Sequence, residues 1–468
     1  MPVHEIAADA AWDVLERRMV GWSSGARDRP VVPRLSTAAL NDRLRGYDFE
    51  APRDLAGLVD DVAELLEQGG VQATHPRYFG LFVPGVRPAG VIADAMAAAY
   101  NPQLGAAWHH PAASRIEALT LDHLRARLGF PASSAATFTT GGSEANLTAV
   151  LAALASAFPR YPTEGLAALG VRPVLYVSDQ AHDSFLKIVR ATGLGEGALC
   201  RVRSDRRQRL DVEELERTIA RHRAEGLAPF LVVATVGTTA TGAIDPLGPL
   251  ADVCRRERLW MHADAAWGGL ALFSDRLRPH VAGLERADSV TWDAHKTLPV
   301  PMGAGMFFCR SRRFTDAVFS VRTGYVPDSE PGALDPYQHT LQWSRRFIGL
   351  KVFLTLAEYG AAGVAALIDR QVEVAEQLRE TLSARGWRVT NDTPLPLVCF
   401  TRPDLAPEEV PTLARAVARE GRAWISDVRL PGGERWLRAC VTHPDSGPED
   451  VRELVEALTR AHHACDRT

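Results

Sequence analysis

The sequence predicts an α/β protein with a mostly parallel central sheet and a smaller α+β unit at its C-terminal end. Three observations carry this expectation. From about residue 135 to 310, short apolar runs alternate with amphipathic segments. The runs are apolar almost throughout, as strands covered on both faces must be. Beyond about residue 345 the texture changes to one long helical stretch followed by shorter strands and helices.

In chain order, residues from about 5 to 22 and from about 53 to 68 have apolar positions at helical spacing and are joined by the Pro- and Arg-rich GARDRPVVPR. Two helices make a poor core alone, so residues 1–72 are expected to pack on the rest of the chain or on a partner subunit. Residues 73–344 read as the large α/β domain, with strands PVLYVS, FLVVATV, LWMHADAA, SVTWDA and GAGMFFC. DVEELERTIARHRAEG, with an aspartate suited to cap its start and a glycine to end it, and LGPLADVCRRERL read as crossover helices. SAFPRYPTEGLAALGVRP reads as a surface loop. Residues 345–468 read as the small domain: a helix broken near Gly360 and Gly363, strands WRVT, PLVCF, RAWIS and WLRACVT, and helices at about 407–421 and 448–463.

The chain has 468 residues, and at roughly 150 per domain it holds two or three units, enough to enclose a deep pocket. Lys plus Arg number 53 against 57 Asp plus Glu, with no run of like charge, so no nucleic-acid or membrane partner is expected. The N-terminus lacks a basic region followed by an apolar one, and no apolar run of about 18 residues occurs, which points to the cytoplasm. Six scattered cysteines without a CxxC fit reduced thiols.

In open α/β sheets ligands bind beyond the carboxyl ends of the strands. There the sequence offers Ser178 to His182, Gly237-Thr238-Thr239, Asp264, and His295-Lys296, with Gly141, Gly142 and Ser143 at the mouth of a long helix. Glycines and a serine at a helix N-terminus can cradle a phosphate, although Ser143 could equally be a plain cap. There is no GxGxxG, Walker lysine or HExxH, and no metal site is expected. One cofactor uses every part at once: pyridoxal 5'-phosphate needs a phosphate cradle, a lysine amine, and a carboxylate against its ring nitrogen. Lys296 could be a surface lysine, but an enclosed lysine loses its charge and becomes a nucleophile. Asp264 lies in the apolar HADAAWGG, where a lone carboxylate is costly and wants a cation.

GGSEANLTA, DQAHDSFLK, ATVGTT, HADAAWGG and SVTWDAHK, in this order, resemble the pyridoxal-phosphate-dependent group II amino-acid decarboxylases, from about His75 to His443. The resemblance implies the aspartate-aminotransferase fold (fold type I) and a homodimer with shared active sites. It implies that Lys296 forms the Schiff base, Asp264 meets the pyridine nitrogen and His182 stacks on the ring. Gly142, Ser143 and His295 would hold the phosphate, with Thr239 and Ala266 near the ring. In such enzymes a loop tyrosine reprotonates the substrate carbon after CO2 leaves; Tyr337, before Arg345-Arg346, is the expected donor and Tyr325 the competitor. The lysine motif departs from the family's Asn-Pro-His-Lys, reading Asp293-Ala294-His295-Lys296.

For the substrate, Leu81 and Phe82 suit an apolar or aromatic side chain, whereas Trp108-His109-His110 and Arg438 could meet a polar or acidic one. The expected reaction is decarboxylation of an aromatic or bulky apolar L-amino acid to its amine. The alternatives are decarboxylation with oxidative deamination to an aldehyde, decarboxylation of an acidic amino acid, and a retired fold serving as a scaffold.

Overall fold

The computed structural model describes residues 6–465 apart from 322, 325, 326 and 328–334. Its strands are β1 (Tyr78–Phe79), β2 (Ala135–Thr139), β3 (Arg172–Ser178), β4 (Leu199–Val202), β5 (Leu227–Thr235), β6 (Trp260–Asp264), β7 (Ser289–Asp293), β8 (Gly305–Cys309), β9 (Arg388–Val389), β10 (Leu397–Thr401), β11 (Trp424–Arg429) and β12 (Arg435–Cys440). Seven form the large sheet in the order β2-β8-β7-β6-β5-β3-β4, in which β8 alone runs antiparallel to its neighbours. The fold is therefore α/β with a mostly parallel central sheet, as expected. The C-terminal ends of β3, β5, β6 and β7 share one edge, and every residue of β6, β7 and β8 is buried.

The expected crossover helices are Val212–Ala224, whose start is capped by Asp211 accepting the Glu214 amide at 3.1 Å, and Leu247–Glu257. The helix Gly142–Ala157 follows β2 and buries Ala145, Ala149, Ala152 and Ala153 completely, so small side chains bring its axis close to the sheet.

The small sheet has the order β1-β11-β12-β10-β9. Its strand β1 comes from far upstream and pairs in parallel with β11, Tyr78 opposite Trp424. Two residues carry too little pattern to be read as a strand from sequence. The helix Gly349–Ala384 is interrupted at Gly360, whose φ of 61° suits glycine best. This helix is long and apolar enough to cross a membrane by length and composition, and it packs against the helices Pro88–Tyr100, Pro111–Arg127 and Pro448–Cys465.

Two segments differ from expectation. The stretch read as a surface loop holds a short helix, Tyr161–Glu164, with Pro162 in its first turn where a missing N–H costs nothing, and a 3-10 turn, Leu166–Leu169. Between the two N-terminal helices lies a third, Thr37–Leu44, held by Ser36 accepting the Ala39 amide. At eight residues without a buried side chain it leaves no periodic signal.

Candidate active site

At the shared strand edge a cavity of about 400 Å³ is lined by residues from β5, β6, β7 and the start of the helix Gly142–Ala157. It gathers Phe82, Gly142, Ser143, His182, Thr239, Asp264, Ala266, His295 and Lys296, nine of the residues singled out from sequence.

The floor is acidic. Asp264, at the end of β6, is buried, accepts the Asn146 side-chain amide on Oδ2 at 2.9 Å and the Ala266 amide on Oδ1 at 3.2 Å, and has no ion-pair partner among the described residues. Behind it the hydrogen bonds form one directed chain. Asn146 Oδ1 accepts the Thr291 hydroxyl at 2.7 Å and lies 3.0 Å from His262 Nε2, while His262 Nδ1 lies 2.8 Å from Ser289 Oγ. Trp260 donates its indole N–H to the same Ser289 oxygen at 2.9 Å. Since that indole only donates, the Ser289 hydroxyl is free to donate to His262 Nδ1, which leaves the imidazole proton on Nε2 facing Asn146. Burial pushes His262 down to about 4, so it stays neutral. Sequence reading missed both Asn146 and His262. The available signal was a buried asparagine one turn inside a helix of alanines, a polar residue that needs partners.

Lys296 follows β7 on the short helix Ala294–Thr297, its ammonium 2.8 Å from Asp293 Oδ2. His295 is buried, accepts the Ala304 amide on Nδ1 at 3.1 Å, and is held below its ordinary range mainly by desolvation. His182 is exposed and accepts the Ser184 amide on Nδ1 at 3.1 Å, which leaves Nε2 to carry its proton into the cavity.

Gly142 opens its helix beneath an extended Gly141 that caps with no side chain. A Cβ at Gly142 would stand 2.9 Å from Asp293 Oδ2 and 3.3 Å from the Ala266 methyl, so any other residue would fill the cradle. Ser143 is not the cap. Its hydroxyl is exposed at the helix mouth and, among the described residues, bonds to none. The N-terminal amides of this 16-residue helix have no partner within it and face the cavity with the positive end of its dipole.

The remaining candidates lie elsewhere. Leu81 is exposed beside the cavity, and Trp108 and His109 pack edge to face in a loop outside it. His110 accepts the Ala113 amide on Nδ1 and caps the helix Pro111–Arg127. Tyr337 is buried, packs against Trp343 with ring centroids 4.8 Å apart and planes tilted by 34°, and accepts Gln338 Nε2 on its phenol at 3.0 Å. It does not line the cavity. Tyr325 lies outside the described residues. Arg438 is buried, and its guanidinium donates to Ser426 Oγ at 2.9 Å, to the Gly80 carbonyl at 3.0 Å and to the Thr239 carbonyl.

The chemistry of the lining calls for a cation at Asp264, an electrophile at Lys296 and an anion at the helix terminus. Pyridoxal phosphate, with its pyridinium, aldehyde and phosphate, answers all three, and this fit defines the class as a pyridoxal-phosphate enzyme. The chain belongs to the family described by the pyridoxal-dependent decarboxylase conserved domain, which matches residues 44–402. It is 35% identical over 332 residues to an aromatic-L-amino-acid decarboxylase of Bacillus atrophaeus, covering 70% of this chain and 67% of that protein. It is 30% identical over 356 residues to the human acidic amino acid decarboxylase GADL1, covering 75% and 67%. The crystal structure of mouse CSAD superposes with a TM-score of 0.92 at 26% identity, over 98% of this chain and 99% of that one. The protein is a pyridoxal-phosphate-dependent carboxy-lyase of the fold-type-I architecture.

Proposed function

We propose that the protein decarboxylates an aromatic or bulky apolar L-amino acid and releases the amine. One observation carries the substrate class. The cavity wall includes Phe82, stacked on Trp267 at 4.3 Å, while Arg438, whose guanidinium carbon lies 5.7 Å from the Phe82 ring centroid, is committed to Thr239, Gly80 and Ser426. Among the described lining residues the only Lys or Arg is Lys296, so an acidic side chain finds no free guanidinium or second ammonium here. An aromatic one finds a ring to stack on.

In this reading Lys296 would hold the cofactor covalently, and Asp264 would keep its ring nitrogen protonated from a buried position where water does not compete. His182 and Ala266 would hold the ring between them, with Thr239 beside it; all three line the cavity. Gly142, Ser143 and His295 would receive the phosphate. Bound there, the cofactor supplies an electron sink for the pair left behind when CO2 departs. The proton that replaces CO2 must come from a group reaching the substrate carbon. Tyr337 is committed to packing, so we assign that role to Tyr325.

A second copy of the chain completes the site. Met96, Tyr100 and Leu341 are exposed apolar side chains, as is Trp108, which stands outside its own cavity. A homodimer would cover them and place Trp108 and His109 toward the neighbouring substrate.

Steady-state kcat/KM for phenylalanine, tyrosine, tryptophan and leucine against glutamate and cysteine sulfinate tests the substrate class. The expected result is at least a tenfold advantage for the best aromatic or apolar substrate. Preference for an acidic substrate would overturn this assignment and show that a cation outside the described lining reaches the site.

A further inference from the structure

Asp293 ends β7 as the residue preceding the short helix Ala294–Thr297, a place where aspartate normally accepts one of the helix's first amides. It makes no such bond. Its side chain is 1% exposed, neither oxygen has a hydrogen-bond partner among the described residues, and it lines the cavity. The nearest cation is the Lys296 ammonium, 2.8 Å from Oδ2, with His295 Nε2 at 3.8 Å. The same Oδ2 stands 2.9 Å from the point where a side chain on Gly142 would begin, so this carboxylate borders the phosphate cradle.

That position is consistent only while Lys296 is an ammonium. To bond an aldehyde carbon, its nitrogen must first give up a proton, and Asp293 would then be left as a buried anion beside an incoming phosphate. The other charged or titratable groups around it do not relieve this. Glu144, on the helix Gly142–Ala157, is an acid that accepts Thr140 and Gln342; Asp264 on β6 is a second carboxylate. Lys351 is held by Asp94 and the Met302 carbonyl; His182 and His295 each accept a backbone amide on Nδ1.

We propose that Asp293 is the proton acceptor for cofactor loading and afterwards a neutral donor to the phosphate. The Nζ–H bond of Lys296 breaks and an Oδ2–H bond forms. The freed electron pair bonds the aldehyde carbon, and the two hydrogens left on the amine depart with the aldehyde oxygen as water. The carboxyl retains the transferred proton because the phosphate beside it accepts it as a hydrogen bond. This inference rests on the assignment of Lys296 and of the Gly142–Ser143 cradle.

Proton counting gives the test. The native chain keeps the lysine proton on Asp293 during loading, whereas Asp293→Asn releases it to solvent. Equilibrium dissociation constants for pyridoxal phosphate are measured by absorbance titration from pH 6.5 to 9 for both proteins, with thermal melting as a folding control. The expected result is that the ratio of native to Asp293→Asn dissociation constants rises about tenfold per pH unit. With phosphate-free pyridoxal the ratio is expected to stay flat, since nothing then holds the proton on Asp293. A ratio flat with pH for the phosphorylated cofactor overturns the proposal, and a rise of the same steepness with both ligands overturns the phosphate contact. Borohydride reduction and peptide mapping separate this from the site assignment. A pyridoxyl label on Lys296 with a flat ratio removes the Asp293 role alone, whereas a label on another lysine removes the assignment on which it rests.

Discussion

Asn146 donates its side-chain N–H to Asp264 at 2.9 Å, and all four hydrogen-bonding positions of that amide are accounted for. Its second N–H meets Ser184 Oγ at 3.2 Å, and its oxygen takes both Thr291 and His262. The amide can therefore point only one way, and Asp264 is aimed by a chain running through Asn146 and His262 to Ser289 and Trp260. Replacing Asn146 with Leu keeps the branched shape of the side chain and removes every one of these bonds. A hydrogen bond to a charged group contributes about 1.5–3 kcal/mol, so cofactor affinity should fall roughly ten- to hundredfold. Absorbance titration with pyridoxal phosphate measures it, and unchanged affinity would show that Asp264 holds its position unaided.

Lys296→Ala should abolish the near-visible absorbance of the covalently held cofactor and lower turnover on the order of 1,000-fold or more. Lys296 is partly exposed in the cavity, so the melting temperature of the cofactor-free protein should change little. Near-native turnover would place the covalent attachment elsewhere.

His262 gives the fold an acid limit. Its folded value of about 4 lies below the ordinary 6.5, so between these the unfolded chain binds a proton that the folded chain refuses. Stability is complete above about pH 6.5 and is lost as pH falls toward 4, by roughly 3 kcal/mol for this group. Denaturant unfolding across that interval should show a shallower acid limb for His262→Gln than for the native chain. Parallel limbs would mean that His262 titrates normally.

Tyr337→Phe should leave the ratio of amine to aldehyde unchanged and cost about 1 kcal/mol through the lost bond from Gln338. Tyr325→Phe should instead lower amine output and raise aldehyde. The reverse pattern would return the donor role to Tyr337.

The parts of the site that were legible in the sequence are those fixed by local chemistry. Lys296, Asp264 and the Gly142–Ser143 pair each stand at a strand end or helix mouth, where the apolar pattern stops and a polar residue must have a purpose. What was not legible depends on partners distant in sequence. Whether Arg438 greets a substrate or holds the Thr239 and Gly80 carbonyls is decided by β12 lying against both, and whether His110 faces a ligand or caps a helix depends on its χ angles. The Asp264–Asn146–His262 chain joins residues 118 and 116 positions apart, and β1 joins a sheet whose other strands begin some 300 residues later. Asp293 was visible as a departure from the family motif, but its lack of a hydrogen bond among the described residues appears only in three dimensions.

The account is tested most directly by the products. The cofactor-loaded enzyme is incubated in air with phenylalanine, tyrosine, tryptophan, L-DOPA, leucine, glutamate and cysteine sulfinate, and amines and aldehydes are read together by mass spectrometry. The predicted result is the amine of an aromatic or bulky apolar amino acid, formed in equal amount to CO2. An aldehyde as the main product, or an amine from the acidic substrates alone, would contradict it.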